Sequence, residues 1–162
     1  MENFSLKNKV IIVTGGTGIL GNAFVDAIVD AGGAVGILGR NESVAIQRAE
    51  TINKKGNALA LVADVLNEGQ LMSAKKKAVD HFGKIDGLVN AAGGNMPEGV
   101  LQPNENIFSM NIEGMKQVMD INLWGTIIPT QIFGEAIAAS GKGSIVNISS
   151  MNSKRAITKV LG

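Results

Sequence analysis

The sequence predicts an α/β fold in which helices cover both faces of a doubly wound parallel sheet. Short apolar runs typical of buried strands alternate with helical segments along the whole chain. The first of these runs, Val10–Thr14, leads directly into the glycine-rich segment 15–21 and then into a helix. Its 162 residues suffice for one domain with its own core. We therefore predict a single Rossmann-like domain over residues 1–162, with strand order 3-2-1-4-5.

The composition excludes several classes of protein. Apolar residues make up 45% of the chain and aromatic residues only 4%, so the core must be aliphatic. A net charge of +1 gives no electrostatic reason to expect a nucleic-acid partner. With no cysteine and one histidine, His81, the sequence offers neither disulfides nor a convincing metal site.

Membrane association is not expected either. The first seven residues lack the apolar core of a signal peptide, and no uncharged apolar run approaches the roughly 18 residues of a spanning helix. We therefore expect a soluble, cytoplasmic protein.

Five apolar runs are predicted as strands, over residues 10–14, 34–38, 58–62, 87–90 and 144–149. A helix is predicted after the glycine-rich segment, because apolar residues recur there at helical spacing: Leu20, Ala23, Phe24, Ala27, Ile28 and Ala31. Asn41 should cap a second helix that runs to Lys55 and points four residues inward: Val44, Ile46, Ala49 and Ile52.

The second half of the chain contains two further helices and a long irregular stretch. Asn67 and Gln70 have the spacing of a capping box, and Gly83 should end the helix that they begin. Residues 93–111 are predicted to be irregular, and a loop of this length is often functional. A long helix from Met115 to about Ser140 should be kinked at Pro129.

The glycine-rich segment is a candidate phosphate site. Gly15, Gly18 and Gly21 follow a strand and open a helix, where bare backbone lets a diphosphate approach the helix N-terminus. A structural tight turn is the alternative, but the strand–loop–helix context favours dinucleotide binding.

Five motifs occur in the order and approximate spacing of the short-chain dehydrogenase/reductase (SDR) family. They are Thr14-Gly15-x-x-Gly18-x-x-Gly21, Asp64-Val65, Asn90-Ala91-Ala92-Gly93, Asn122 in Asn-Leu-Trp-Gly, and Val146-Asn147-Ile148-Ser149-Ser150. Together they cover essentially the whole chain, so that the sequence resembles an SDR. Its glycine spacing departs from the usual T-G-x-x-x-G-x-G. With Gly39-Arg40-Asn41 and Gly93-Gly94-Asn95, it is most similar to the D-mannonate oxidoreductase (D-fructuronate reductase) subgroup.

The resemblance implies a role for each matching residue. The pyrophosphate loop would comprise Thr14, Gly15, Gly18, Ile19, Leu20 and Gly21. The adenine ring would lie against Asp64 and Val65, and the ribose against Asn90, Ala91, Ala92 and Gly93. The family's active-site residues would be Asn122, which supports a proton relay, and Ser150, which binds the substrate's reacting oxygen.

Each of the polar assignments has an alternative. Asp64 could cap the turn after the third strand, and Asn122 could be a satisfied buried amide within its helix. Ser150 could be a turn residue at the end of the last strand, and Ser149 is the candidate for the active-site serine if the register differs by one.

The cofactor is predicted as NAD(P), without a choice between the two forms. An acidic residue at the end of the second strand would favour NAD, but Gly39 occupies that place. Arg40 could stack on adenine or meet a 2′-phosphate, which favours NADP, while the subgroup resemblance favours NAD.

The sequence contains no tyrosine, although the family's Tyr-x-x-x-Lys should follow Ser150. Its expected position falls just past Gly162, so we expect the chain to be truncated at its C-terminus and inactive by itself. The resemblance implies an oxidoreductase that interconverts a secondary alcohol and a ketone on a sugar acid, and a dimer or tetramer at full length. Alternatives are gluconate 5-dehydrogenase or 3-oxoacyl-carrier-protein reductase activity, or a non-catalytic nucleotide-binding module.

Overall fold

The computed structural model describes residues 4–150 and 154. Its five parallel strands form one sheet in the order β3-β2-β1-β4-β5, as predicted. The first strand lies at the centre, with Val13 opposite Ile37 of the second strand and Val89 of the fourth. The strands are β1 Val10–Thr14, β2 Ala34–Gly39, β3 Asn57–Val62, β4 Gly87–Asn90 and β5 Ser144–Asn147.

Helices cover both faces of this sheet. They are α1 Ile19–Asp30, α2 Glu42–Ile52, α3 Glu68–Phe82, α4 Ile112–Met119 and α5 Gly125–Ala139. Because side chains alternate along a strand, Ile12 packs with α3 and α5 while Val13 packs with α1 and α2. The two apolar layers, both almost entirely aliphatic, hold the sheet between them.

The predicted inward faces of α1 and α2 were partly wrong. In α1 the buried residues include Val25 and Val29, whereas Leu20 is 61% exposed. In α2 Ala45 is buried, whereas Val44 and Ile46 face the solvent. Apolar residues follow one another directly in both helices, as in Phe24-Val25 and Val44-Ala45-Ile46, so the hydrophobic pattern alone left the rotation of the helices open.

The helix caps were largely predicted. The side chains of Asn41 and Asn67 each accept a hydrogen bond from the backbone N–H three residues on, at 3.1 and 3.0 Å. The reciprocal half of the predicted capping box is absent, because Gln70 Oε1 instead accepts from the N–H of Asp64. The second helix ends at Ile52, before the predicted Lys55, because Asn53 folds back onto Ala58 through two hydrogen bonds.

The long predicted helix is interrupted, but not at the expected residue. A π-helical turn at Asp120–Trp124 separates α4 from α5, and α5 continues through the buried Pro129. The irregularity therefore lies before the proline. The preceding stretch 93–111 is largely irregular, as predicted, with two short 3₁₀ turns.

The fifth strand is an exposed edge in the part of the chain that the structure describes. It ends at Asn147 instead of Ser149, and all four of its residues are exposed. No helix among the described residues is long and apolar enough to cross a bilayer.

The amino ends of three strands are tied together at Asp86, which is 6% exposed. Its carboxylate accepts hydrogen bonds from the backbone N–H of Val10 at 2.9 Å and from the ammonium groups of Lys9 and Lys84. Its backbone carbonyl accepts from the N–H of Ser144. Burial raises the pKa of Asp86, but the hydrogen bonds from Lys84, Val10 and Lys9 outweigh that effect and leave it below its usual value.

We predict that Asp86→Asn lowers the free energy of unfolding at pH 7 by about 1–3 kcal/mol, because charged hydrogen bonds at a buried site are lost. A carboxyl group with a lowered folded-state pKa stabilises the fold above its unfolded value of 3.8. Its contribution disappears as the pH falls through the folded-state pKa. Denaturant unfolding of both proteins at pH 7 and pH 3 should therefore show a difference that shrinks in acid.

Asp30→Asn is the matched control, since the Asp30 side chain is 64% exposed in its pair with Lys55. A screened surface pair of this kind contributes little, so this variant should unfold like the unmodified protein. An Asp86→Asn difference that is absent at pH 7, or that grows in acid, would contradict the anchoring role.

Candidate functional site

The glycine-rich segment folds into a tight loop at the carboxyl end of β1. Gly15 has φ +63°, a conformation that side chains with a Cβ rarely adopt. Its carbonyl accepts from the N–H of Gly18 at 2.9 Å, and the N–H of Gly16 donates to Leu38 O at the end of β2. The loop is therefore closed on itself and attached to the neighbouring strand.

The first turn of α1 lies directly against this loop. A Cβ on Gly21 would overlap the carbonyl oxygen of Gly15, so only glycine permits the approach. Gly18 provides the helix cap without any side-chain hydrogen bond, and the first turn contains no acidic residue. The backbone N–H groups of this first turn have no intrahelical acceptor and carry partial positive charge. The start of α1 therefore suits an anion.

Two apolar side chains flank this helix start. Ile19 is 92% exposed and Leu20 is 61% exposed. The loop, the uncapped helix start and these two side chains together form an arrangement that can hold a diphosphate with apolar groups next to it.

A buried hydroxyl group joins the ends of β1 and β4. Thr14 is fully buried, and its Oγ1 accepts hydrogen bonds from the N–H groups of Ala91 and Ala92, each at 3.1 Å. A Cβ on Gly15 would lie 3.0 Å from Ala92 Cα. Thus the structure brings the first and the third predicted motifs into direct contact.

The side chain of Asn90 connects three elements below this contact. It is 2% exposed and donates to Thr130 Oγ1 of α5 at 2.8 Å and to Asn147 Oδ1 of β5 at 2.9 Å. The backbone carbonyl of Asn90 accepts from the N–H of Ile148 at 3.0 Å, whereas its side-chain Oδ1 is buried without a partner among the described residues. Asn90 therefore fixes how β5, and with it the segment that leads to Ser150, lies beside β4.

Asn122 lies in the π-helical turn and binds backbone through its whole amide. Its Nδ2 donates to Gly94 O and to Val118 O, both at 2.8 Å, and its Oδ1 accepts from the N–H of Gly94 at 3.1 Å. The amide is satisfied, as one of the two interpretations expected, but Asn122 is exposed instead of buried. Its hydrogen bonds to Gly94 hold the loop after β4. Its part in a proton relay remains a prediction.

The residues predicted to hold adenine have structural partners as well. Asp64 Oδ1 accepts from the N–H of Leu66 at 2.9 Å and so caps the turn after β3. Val65 is 4% exposed within the core, so that an adenine ring would meet its backbone instead of its side chain. Arg40 is exposed directly after β2. None of these contacts decides the cofactor roles, which stay predictions.

Ser150 and its neighbour Ser149 are exposed just beyond β5, at the carboxyl edge of the sheet. Residues 151–153 and 155–162, which follow Ser150, lie outside the described residues. Among residues 4–150 and 154, no cluster of histidine and acidic side chains could hold a metal ion.

Sequence reasoning missed three residues that support the site. Thr17 packs against Gly39 at the end of β2, and Thr130 and Asn147 bind Asn90. Asn147 lies in one of the five motifs, but the motif did not predict its hydrogen bond with Asn90. Thr130 gave no local signal, because its contact joins residues 40 positions apart in the chain.

Comparison with known proteins identifies the family. The family model described as short chain dehydrogenase matches residues 9–161. An uncharacterised oxidoreductase of Bacillus subtilis (strain 168), UxuB, is 31% identical over an alignment 169 residues long. The alignment covers 96% of this chain and 59% of that protein.

Two solved structures have the same architecture. One, from Haemophilus influenza, is provisionally assigned as a D-mannonate oxidoreductase and contains bound NAD; it superimposes with a TM-score of 0.89 at 30% identity, covering 98% of this chain and 61% of its own. The other is an NAD⁺-bound xylitol dehydrogenase, with a TM-score of 0.86 at 26% identity, covering 96% and 58%. The chain thus spans about three-fifths of the length of these relatives.

We predict that Gly21→Ala abolishes saturable binding of NADH and destabilises the fold by about 1–3 kcal/mol, because its methyl group displaces the Gly15 carbonyl. Titration of nicotinamide fluorescence and denaturant unfolding measure the two effects. Gly134→Ala in α5 is the control, because its nearest neighbour would be Ile145 Cδ1 at 4.0 Å. That variant should bind normally and be at least as stable.

We also predict that Asn122→Ala loosens the loop after β4, because it removes both the acceptor of the Gly94 N–H and the donor to the carbonyls of Gly94 and Val118. Hydrogen exchange at Gly94 should accelerate about tenfold or more, which corresponds to the net loss of roughly one hydrogen bond. Asn95→Ala makes the same truncation at an exposed neighbour and should leave that exchange rate unchanged. Equal exchange rates in both variants would show that the amide clamp does not hold the loop.

Proposed function

The chain belongs to the short-chain dehydrogenase family, and we propose that it is the cofactor-binding part of an NAD(P)-dependent oxidoreductase. The proposed reaction interconverts a secondary alcohol and a ketone on a sugar acid, with D-mannonate and D-fructuronate as the leading pair. The observation that carries this proposal is the closed loop at Gly15–Gly21 beneath an uncapped, acid-free helix start.

Candidate residues can be named for each part of the proposed complex. The diphosphate would be held by the backbone of Gly18, Ile19 and Leu20 at the start of α1. The adenine would lie between the ends of β2 and β3, near Arg40 and Asp64. These assignments follow the general rule that parallel sheets bind dinucleotides at their carboxyl edge, where the strand order reverses.

The nicotinamide end would face the loop after β4. The contact of Thr14 with Ala91 and Ala92 sets the start of that loop, and Asn122 sets its continuation at Gly94. The cofactor supplies the hydride chemistry, while these residues orient it and Ser150 is proposed to bind the reacting oxygen. Hydrogen bonding from a serine hydroxyl would stabilise charge that develops on that oxygen.

The sugar-acid substrate is supported by the similarity to the Haemophilus structure and to the sequence subgroup. A small-molecule substrate, a cytoplasmic location and a homo-oligomeric state at full length belong to the same proposal. The 162 residues contain no tyrosine, so the family's proton donor is not among them. The catalytic assembly would then need residues outside this sequence.

A non-catalytic nucleotide-binding module is the second candidate, and the missing tyrosine is the observation that favours it. Both candidates bind the cofactor, and only the first transfers hydride. Gluconate 5-dehydrogenase and 3-oxoacyl-carrier-protein reductase remain the alternative activities within the family.

The test uses the 162-residue chain and, where the gene continues past Gly162, the longer protein that it encodes. We expect saturable NADH or NADPH binding by both, with a dissociation constant between about 1 μM and 1 mM. Only the longer protein should oxidise NAD(P)H when fructuronate is added. Folded protein that binds neither cofactor would refute the proposal, and a longer protein that binds but never turns over would favour the non-catalytic module.

A comparable rate of fructuronate reduction by the 162-residue chain alone would also contradict the account. The proton would then have to come from a residue within this sequence other than tyrosine. Parallel assays with gluconate and a 3-oxoacyl thioester distinguish the sugar-acid substrate from the alternatives.

A further inference from the structure

The third strand, β3, forms one edge of the sheet, and its sequence Asn57–Val62 (NALALV) contains no charged residue and no proline. Its residues pair with β2 in unbroken register, so that the strand has no bulge. Folded proteins usually protect an edge with charged residues, proline or a bulge, because the unpaired backbone groups otherwise accept a strand from another molecule. For β3 the protection therefore has to come from outside the strand.

Alternate residues of β3 direct their backbone groups away from β2. The N–H of Ala63, directly after the strand, donates to Gly39 O of β2 at 3.1 Å. Because the direction of the N–H and C=O groups alternates along a strand, the N–H groups of Ala58, Ala60 and Asp64 point to the other side, as do their neighbouring carbonyls. These outward groups are the ones that a further strand would bind.

The side chain of Asn53 binds both outward groups of Ala58. Its Oδ1 accepts from the N–H of Ala58 at 2.6 Å, and its Nδ2 donates to the carbonyl of Ala58 at 3.0 Å. In an antiparallel pair of strands, opposite residues exchange the same two hydrogen bonds. The amide of Asn53 therefore occupies the position that a residue of a further strand would take.

Two side chains of α3 bind outward groups farther along the edge. Lys77 Nζ donates to the carbonyl of Ala60 at 3.0 Å, and Gln70 Oε1 accepts from the N–H of Asp64 at 2.7 Å. The ammonium group also places a charge beside the strand, and a second strand lying there would have to remove water from it at a cost in free energy.

We propose that Asn53 and Lys77 keep the β3 edge closed to strand pairing with a second copy of this chain. A second copy is the relevant partner, because two identical uncharged edges can pair in antiparallel orientation about a two-fold axis. The proposal does not depend on the proposed function, since neither side chain is assigned to the cofactor or the substrate.

The test compares Asn53→Ala/Lys77→Met with the unmodified protein by sedimentation-velocity ultracentrifugation over a range of protein concentrations. Alanine removes the amide, and methionine keeps an unbranched apolar side chain without the ammonium group. We expect the double variant to form larger species as its concentration rises, beyond any association of the unmodified protein, because the groups of Ala58 and Ala60 are then free to pair.

Hydrogen exchange at the Ala58 amide shows whether that association uses β3. In the dilute double variant, exchange should be about tenfold faster than in the unmodified protein, as expected for the loss of roughly one hydrogen bond. At high concentration it should become slow again, since a second copy then covers the edge. In the unmodified protein, exchange at Ala58 should be slow at every concentration.

Asn57→Ala/Lys76→Met is the matched control. Both side chains are exposed, and Lys76 pairs with Asp80 instead of binding the strand. This variant makes the same two kinds of truncation, so it should sediment and exchange like the unmodified protein.

Equal sedimentation of the two double variants would overturn the proposal. So would Ala58 exchange that does not depend on concentration in Asn53→Ala/Lys77→Met, or that slows with concentration in the unmodified protein. If circular dichroism shows that this double variant does not fold, Lys77→Met alone is compared with Lys76→Met. It should associate more than Lys76→Met, and an equal degree of association would again contradict the proposal.

Discussion

The close approach of Gly21 to the carbonyl group of Gly15 is the constraint on which the site depends. Through this contact the first turn of α1 lies on the loop that leaves β1, so that the uncapped N–H groups of the helix face the carboxyl edge of the sheet. The same loop touches Ala91 and Ala92 on one side and Gly39 on the other. One backbone contact thus positions the ends of three strands.

The polar side chains beneath the site form hydrogen bonds with neighbouring segments of the chain instead of pointing into an open cleft. Thr14 and Asn122 form hydrogen bonds with the backbone, and Asn90 donates to the side chains of Thr130 and Asn147. Groups bound in this way make a site rigid, because each would lose hydrogen bonds if it moved. We interpret this rigid framework as the means by which a cofactor would be held in one orientation.

Much of the architecture could be predicted from the sequence, because strand order follows from alternating apolar runs and a glycine loop after the first of them. The rotation of α1 and α2 could not, since Val44 and Ala45 are both apolar and only packing decides which is buried. The π-helical turn was also missed. The sequence predicted a kink at Pro129, whereas the irregularity lies at residues 120–124, around Asn122.

The candidate site was predictable where motifs are local, and unpredictable where contacts are distant. Gly15, Gly18 and Gly21 follow one another in the chain, so their shared loop could be proposed from spacing. The contact of Thr17 with Gly39 and that of Asn90 with Thr130 join distant segments. Such contacts exist only once the sheet has formed.

A crystal structure of the protein with bound NADH tests the central claim most directly. The account predicts both phosphate groups at the start of α1, with their oxygens about 2.7–3.2 Å from the backbone nitrogen atoms around Ile19 and Leu20. A cofactor bound elsewhere, or side chains filling the space above Gly18, would contradict it.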